Sequence, residues 1–479
     1  MLLAGVARSS ITPPLGLSMA GYAARDGVAN GTESDLLATA LVLSDGQTTI
    51  AIFAFDLLCL QEPVVSSLRS LISHRLDIPI SHVLLNFSHT HCGPTSSTFK
   101  YDDDANLIQL RQRYEQRLRD EMPVLAEQAR QELRPARIAT GTGEARIGIN
   151  RRERQADKTV LLGENPDGPV DHEVRVLRID DLTGRPIATV FAHGCHTVTM
   201  GPKCLRWSSD YVGCARDLVE ERTGALSLFL QANAGDINPR VGIGPGENDS
   251  NAKNRTGTVL GSEVLKVHAS LYSESIRGPK VLIGSLSKIP YYPRLPLSEE
   301  PDRTIRVREE LLQLPYQELP SPQLAGELLA KWEENVRTLA QERVTGGAIN
   351  AARLFRQWAQ NLVKFVASGR RPFLAIPLQT VGLGDLAIVA VPGETFSSFG
   401  LQLKRLSPFR NTLVLGYSNG CVGYIPTADA YPENGWSITE RYYIADMIFQ
   451  GYGQPTALAP DANERLIAKV LEMLAALKS

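Results

Sequence analysis

Apolar residues along this chain of 479 residues recur in two rhythms. Unbroken apolar runs such as TTIAIFAFD (48–56) and HVLLNFSHTH (82–91) predict short strands buried on both faces. Between them, EPVVSSLRSLISHRL (62–76) repeats its apolar positions at helical spacing. Strand, helix, strand predicts a right-handed crossover with parallel strands. The segment 106–133 reads as a long helix stopped by Pro135. EVRVLRID and PIATVFAHGCH are strands joined by a Thr183-Gly184 turn, which predicts a hairpin. Residues 209–224 read as a helix ending on Gly224, and LSLFLQANAGDINP as a strand running into a glycine-bearing loop.

From about 290 to 370 prolines cluster first and two helical segments follow, near 323–342 and 348–368. Strand-rich sequence flanks this stretch on both sides, so it is read as a mostly helical insertion in a single domain spanning 1–479. Strands resume at LQTVGLGDLAIVAVPGE, and residues 461–477 form a C-terminal amphipathic helix. The expected fold class is α/β, with mixed parallel and antiparallel sheets flanked by helices.

Composition narrows the function classes. Fifty basic residues against fifty-two acidic ones give a net charge of −2, which offers no electrostatic case for nucleic acid or an anionic membrane. No apolar run approaches the ~20 residues of a membrane span. The N-terminus lacks the basic and long apolar regions of a signal peptide, and the six cysteines show no CxxC pairing. A reducing, cytoplasmic setting is therefore expected, although a chain trimmed of a leader would read the same way.

The candidate chemistry sits at strand exits. Two of the eight histidines, His89 and His91, close one apolar run, and side-chain alternation in a strand predicts that both point the same way. They could share a metal, or one could bind metal while the other handles protons. His193 and His196 repeat the pattern, but their spacing of three breaks alternation, so one of them is expected to be structural. Glu394 follows a strand and a glycine; its plainer reading is a carboxylate in the first turn of the helix TFSSFGLQLKRL. Asp210 likewise has a capping role available. Arg151, in INRRER, reads most simply as a solvated charge. GYSNG (416–420) fits a nucleophile elbow, yet CVGYIPT is no helix start and no histidine follows Ser418.

Taken together, GVARSSITPP, MAGYAAR, SHTHCGP, INRR, CHTVTMGP, SSDYVG, NAGDINP, VPGE and GYIPT resemble, in order, the catalytic domain of the neutral (neutral/alkaline non-lysosomal) ceramidases. The resemblance implies one zinc ion, held by His89, His196, Glu394 and Tyr424. His91 would then bond the reacting oxygen or shuttle protons, and Arg151 would contact substrate. The implied reaction is hydrolysis of an amide (N-acyl) bond of a lipid or small molecule by metal-activated water. The chain departs from that family in three places. Asn238 stands where the family's loop carries a serine, Trp436 lies near the place of an active-site tyrosine, and no separate C-terminal domain is expected. Asn238 can orient water or an amide but cannot be acylated. The competing readings are a metallohydrolase of a non-lipid amide, ester or lactone, and a ceramidase-fold protein that only binds its ligand.

Overall fold

The computed structural model describes residues 1–478 apart from 23–24, 96–104, 158, 244–249, 274, 285, 297–302, 370–372 and 433–448. Trp436 lies outside the described residues. The larger sheet contains β1 (Leu3–Ser10), β2 (Leu37–Ser44), β3 (Thr49–Phe55), β4 (Val83–Phe87), β5 (Arg134–Glu144), β6 (Glu173–Asp181), β7 (Pro186–His193) and β8 (Leu226–Gln231). Their spatial order is β8-β7-β6-β5-β1-β2-β3-β4. The smaller sheet contains β9 (Ile305–Pro315), β10 (Phe373–Leu383), β11 (Leu386–Ala390) and β12 (Asn411–Leu415), in that order. The helices are α1 (Val64–Leu76), α2 (Ala105–Gln131), α3 (Asp210–Thr223), α4 (Ser250–Ser270), α5 (Pro322–Gln341), α6 (Gly347–Ala367), α7 (Ser397–Leu406) and α8 (Ala462–Lys478).

Why the strands read as continuous apolar runs is visible in the layering. Leu41, Ile52, Val190 and Leu230 of the larger sheet pack against Val381, Ile388 and Leu413 of the smaller one. The alternate residues face helices: Val42 and Phe53 meet α1 and α2, while Val176 and Phe191 meet α3 and α4. Beyond the smaller sheet, Leu378, Val389 and Val414 pack on α7 and α8. The order is helices, sheet, sheet, helices, and a strand covered on both faces has no polar face to show. The mixed α/β class expected from the pattern is the observed one.

Within these two sheets, neighbouring strands are antiparallel except at three places. The β3–β4, β7–β8 and β11–β12 pairs are parallel, and α1, α3 and α7 make the crossovers between them. β4 and β8 are the two edges of the larger sheet, and the sheet coils until these edges meet. The Asn86 side chain joins them: its Nδ2 donates to Gln231 O (3.2 Å) and its Oδ1 accepts from Gln231 N (2.7 Å). The same Nδ2 donates to Gly416 O (3.0 Å), just past β12. Three parallel units therefore bring their carboxyl ends to one point, the usual place for a site in α/β sheets.

In the stretch from 290 to 370 the two expected helices are observed as α5 and α6, while residues 305–315, where no element was expected, form β9, which pairs along its whole length with β10. The alternation in IRVREELLQLP was masked by the charged side chains of its outer face. The helix pair packs through Trp332, Phe355 and Trp358 against Phe396 and Phe449.

Candidate metal centre

β4 ends at Phe87, two residues before the first histidine. His89 then adopts a positive φ of 60°, a conformation that a non-glycine residue holds only when its surroundings fix it. His89 and His91 therefore do not share a strand face, because the strand has ended. They converge through the bend: His89 N bonds Leu57 O (2.9 Å) and His91 N bonds Thr197 O (3.2 Å). That second bond ties the exit of β4 to the exit of β7, where His196 lies. His196 N in turn bonds Ile237 O (3.0 Å), beyond β8. Gly235, in the same loop, must be glycine: a Cβ there would stand 2.5 Å from the Glu394 carbonyl oxygen.

The result is a compact buried cluster. The ligand atoms of His89, His91 and His196 lie within 4.8 Å of one another. Glu394 Oε2 is 3.5 Å from His89 Nε2 and 3.3 Å from His196 Nε2. The other ring nitrogens are pinned, His89 Nδ1 to Leu58 O (2.9 Å) and His196 Nδ1 to Ala234 O (2.6 Å). A carbonyl only accepts, so each Nδ1 carries the proton and each Nε2 presents a lone pair. Burial keeps His89 low, and burial together with Arg151 takes His196 down to about 3, so both rings are neutral at pH 7. Burial alone would raise the Glu394 carboxyl; His89, His196 and Arg151 overrule it and hold it well below the usual carboxylate range. Two imidazole lone pairs and an ionised carboxylate aimed at one point repel each other. A divalent cation between them removes that repulsion, and the donor set suits one.

The remaining residues surround this point. Glu394 belongs to the short strand Glu394–Thr395, paired in parallel with Tyr424–Ile425, and not to the first turn of α7. That helix begins only at Ser397, after an N-cap at Phe396. Tyr417 Oη donates to Glu394 Oε2 (3.2 Å), and Tyr452 Oη donates to Oε1. Arg151 is no solvated surface charge. Its Nη2 donates to Tyr424 Oη (2.7 Å) and Gly235 O (2.8 Å), and its Nη1 to Asn238 Oδ1 (3.3 Å). The strand Gly148–Arg154 places it there by pairing with Ile237–Pro239. His91 is buried with neither ring nitrogen hydrogen-bonded among the described residues.

Other candidates have structural places. His193 Nδ1 bonds Glu173 O (2.9 Å), outside the cluster. Asp210 opens α3 after an N-cap Ser209, and its carboxylate accepts from Met200 N (3.1 Å) and Thr199 Oγ1, bracing the loop after His196. Ser418 is buried, with its Oγ donating to Gly416 O (2.8 Å) and accepting from Asn86 Nδ2 (3.0 Å). In GYSNG it is Tyr417, held at a φ of 48°, whose ring lies 4.3 Å from that of His89. Sequence reasoning missed Tyr417, Tyr452 and Tyr22, whose ring stands edge-on to His91 at 4.7 Å. The glycines flanking Tyr417 and Tyr22 were the available signal, since they permit the backbone bends that turn each ring inward.

Comparison with known proteins points to one family. Neutral ceramidase of Pseudomonas aeruginosa is 22% identical over 386 residues, which are 73% of this chain and 55% of that protein. Neutral ceramidase A of Dictyostelium discoideum is 26% identical over 247 residues, or 47% and 34% of the two chains. The chain thus spans about half or less of the length of these relatives. The crystal structure of neutral ceramidase from P. aeruginosa shares the fold, with a TM-score of 0.66 at 18% identity over 99% of this chain and 75% of that one. The profile of the neutral/alkaline non-lysosomal ceramidase N-terminal region matches residues 2–269, and the chain belongs to that family.

Proposed function

We propose that the protein is a zinc-dependent hydrolase of a linear amide (N-acyl) bond. The observation that carries this reading is the convergence of His89 Nε2, His196 Nε2 and Glu394 Oε2 on one buried point, with both Nδ1 atoms committed to carbonyls. His89, His196 and Glu394, with Tyr424 at the rim, would hold the ion. Zinc bound there supplies Lewis-acid polarisation of the amide carbonyl and acidifies a water molecule.

The chain's own residues do the rest. His91, with two unengaged ring nitrogens beside the cluster, takes a proton from the attacking water and returns it to the departing amine. Arg151, anchored by Gly235 O and Asn238, holds Tyr424 and presents its charge to the oxygen on which negative charge develops. Asn238 acts through Arg151 and is a positioning residue. Tyr417 and Tyr452 fix both oxygens of Glu394, so its orientation is set before substrate arrives. Neither candidate position offers a serine nucleophile: Asn238 lacks a hydroxyl, and the Ser418 hydroxyl is hydrogen-bonded on both sides, to Asn86 and Gly416. Water is left as the attacking group.

The relatives' names point to ceramide, an N-acylated amino alcohol. The test is hydrolysis of a short-chain ceramide alongside N-acyl amines, esters and lactones, with and without a chelator. Chelator-sensitive, zinc-restored release of a fatty acid from N-acyl substrates, insensitive to Ser418→Ala, is the expected result. Hydrolysis that persists in chelator would end the metal reading, and a stable adduct of a serine-directed phosphonate on Ser418 would replace the nucleophile.

A further inference from the structure

Beside the histidine cluster lies a cavity of about 210 Å³ whose wall includes Tyr22 and Arg25 of the MAGYAAR segment. Tyr22 connects the two places. Its ring stands against His91 at 4.7 Å and beneath the Arg25 guanidinium at 4.9 Å. Gly21 lets this segment lie so close, since a Cβ there would meet His91 Nδ1 at 2.3 Å.

Arg25 is only 5% exposed. Its Nε donates to Pro202 O (3.2 Å) and its Nη1 to Ala20 O (2.6 Å). Both acceptors are neutral, and Nη2 has no hydrogen-bond partner among the described residues. Asp26, its chain neighbour, is exposed and lies against Gly346 instead. Among the described residues no carboxylate ion-pairs with Arg25. A buried guanidinium satisfied only by carbonyls keeps its whole charge, and burying an uncompensated charge is costly unless something arrives to balance it.

Leu107, in the first turn of α2, and Asn350, in the first turn of α6, also line the cavity. The α6 N-cap, Gly346, supplies no side-chain cap. Met19 and Val28 add apolar surface.

We propose that this cavity is a subsite for a carboxylate carried by the substrate, with Arg25 Nη2 as its principal donor. One guanidinium edge without a partner among the described residues balances a single negative charge, which fits a carboxylate better than a dianion. The apolar wall takes a short aliphatic spacer between that carboxylate and the amide. The inference rests on the amide-hydrolase reading for the nature of the substrate, and it narrows that substrate to N-acyl compounds bearing an acid group.

Calorimetric titration of N-hexanoylglycine and N-hexanoylglycinamide, and of hexanoate and hexanamide, tests it without requiring turnover. The wild type should bind the acid of each pair at least about tenfold more tightly than its amide, as expected for one charge-assisted contact. Arg25→Gln should bring the two within about twofold, and Arg25→Lys should restore part of the difference, which a misfolded protein would not do. Equal discrimination in wild type and Arg25→Gln, with metal content and circular dichroism unchanged, would mean that the charge is satisfied within the chain and would overturn the subsite. Absence of hydrolysis on every amide, with the binding difference intact, would instead sink the hydrolase reading and leave the subsite standing.

Discussion

At His91 two buried ring nitrogens have no hydrogen-bond partner among the described residues, while His89 and His196 each spend one nitrogen on a carbonyl. That difference assigns the labour: pinned rings present fixed lone pairs, and an unpinned ring can exchange protons. His91→Ala should therefore keep its metal and lose about 10²–10⁴-fold in kcat, the usual contribution of a general acid–base group. Elemental analysis beside steady-state kinetics checks it; loss of metal equal to that of His89→Ala would make His91 a ligand. Part of this site was legible in the sequence: histidines at two strand exits marked the cluster, whereas the carboxylate of VPGE read more simply as a first-turn helix residue and entered only through the family resemblance. The reason offered for His89 and His91 was not the right one: a left-handed turn at His89, not strand alternation, brings them together. Arg151 was illegible for a plainer cause. In a run such as INRRER nothing local distinguishes an arginine drawn inward by a strand pair 86 residues away from one in water.

Elements matter here through their ends. The crossover at 48–91 was readable as a unit, and the strands and helices of the other two were readable one at a time, because strand and helix periodicity is local. Their convergence was not, because it depends on the larger sheet coiling until β4 and β8 meet at Asn86. Asn86→Ala strands Gln231 N and two carbonyls in a dry interior, and buried orphans cost about 1–3 kcal/mol each. The variant should lose roughly 3 kcal/mol in urea unfolding and bind zinc more weakly as well. An unchanged urea midpoint would show that the edges do not need this amide. Gly235→Ala tests the same convergence at lower cost to the fold. Its methyl must displace the Glu394 backbone, and zinc affinity should fall about 10–100-fold, as for other groups that orient ligands. Competition against a chromophoric chelator reads that number directly, and wild-type affinity would deny Gly235 its role.

Across the described residues, helices sheathe two sheets and the buried histidine–carboxylate cluster lies where their parallel strand pairs end. Such a centre links binding to stability. A ligand at a hundredfold excess over its Kd adds about 2.7 kcal/mol to the folded state. Chelated protein should accordingly melt several degrees below the zinc-loaded form and recover on adding zinc. Equal melting temperatures would mean that the cluster does not bind zinc in the folded chain.

The claim on which everything else depends is that His89, His196 and Glu394 hold one metal ion. Elemental analysis of the wild type and of a His89→Ala, His196→Ala double variant, both purified without added metal and both folded by circular dichroism, addresses it most directly. The account predicts about one zinc per chain in the wild type and almost none in the variant. The same zinc content in both proteins would contradict it.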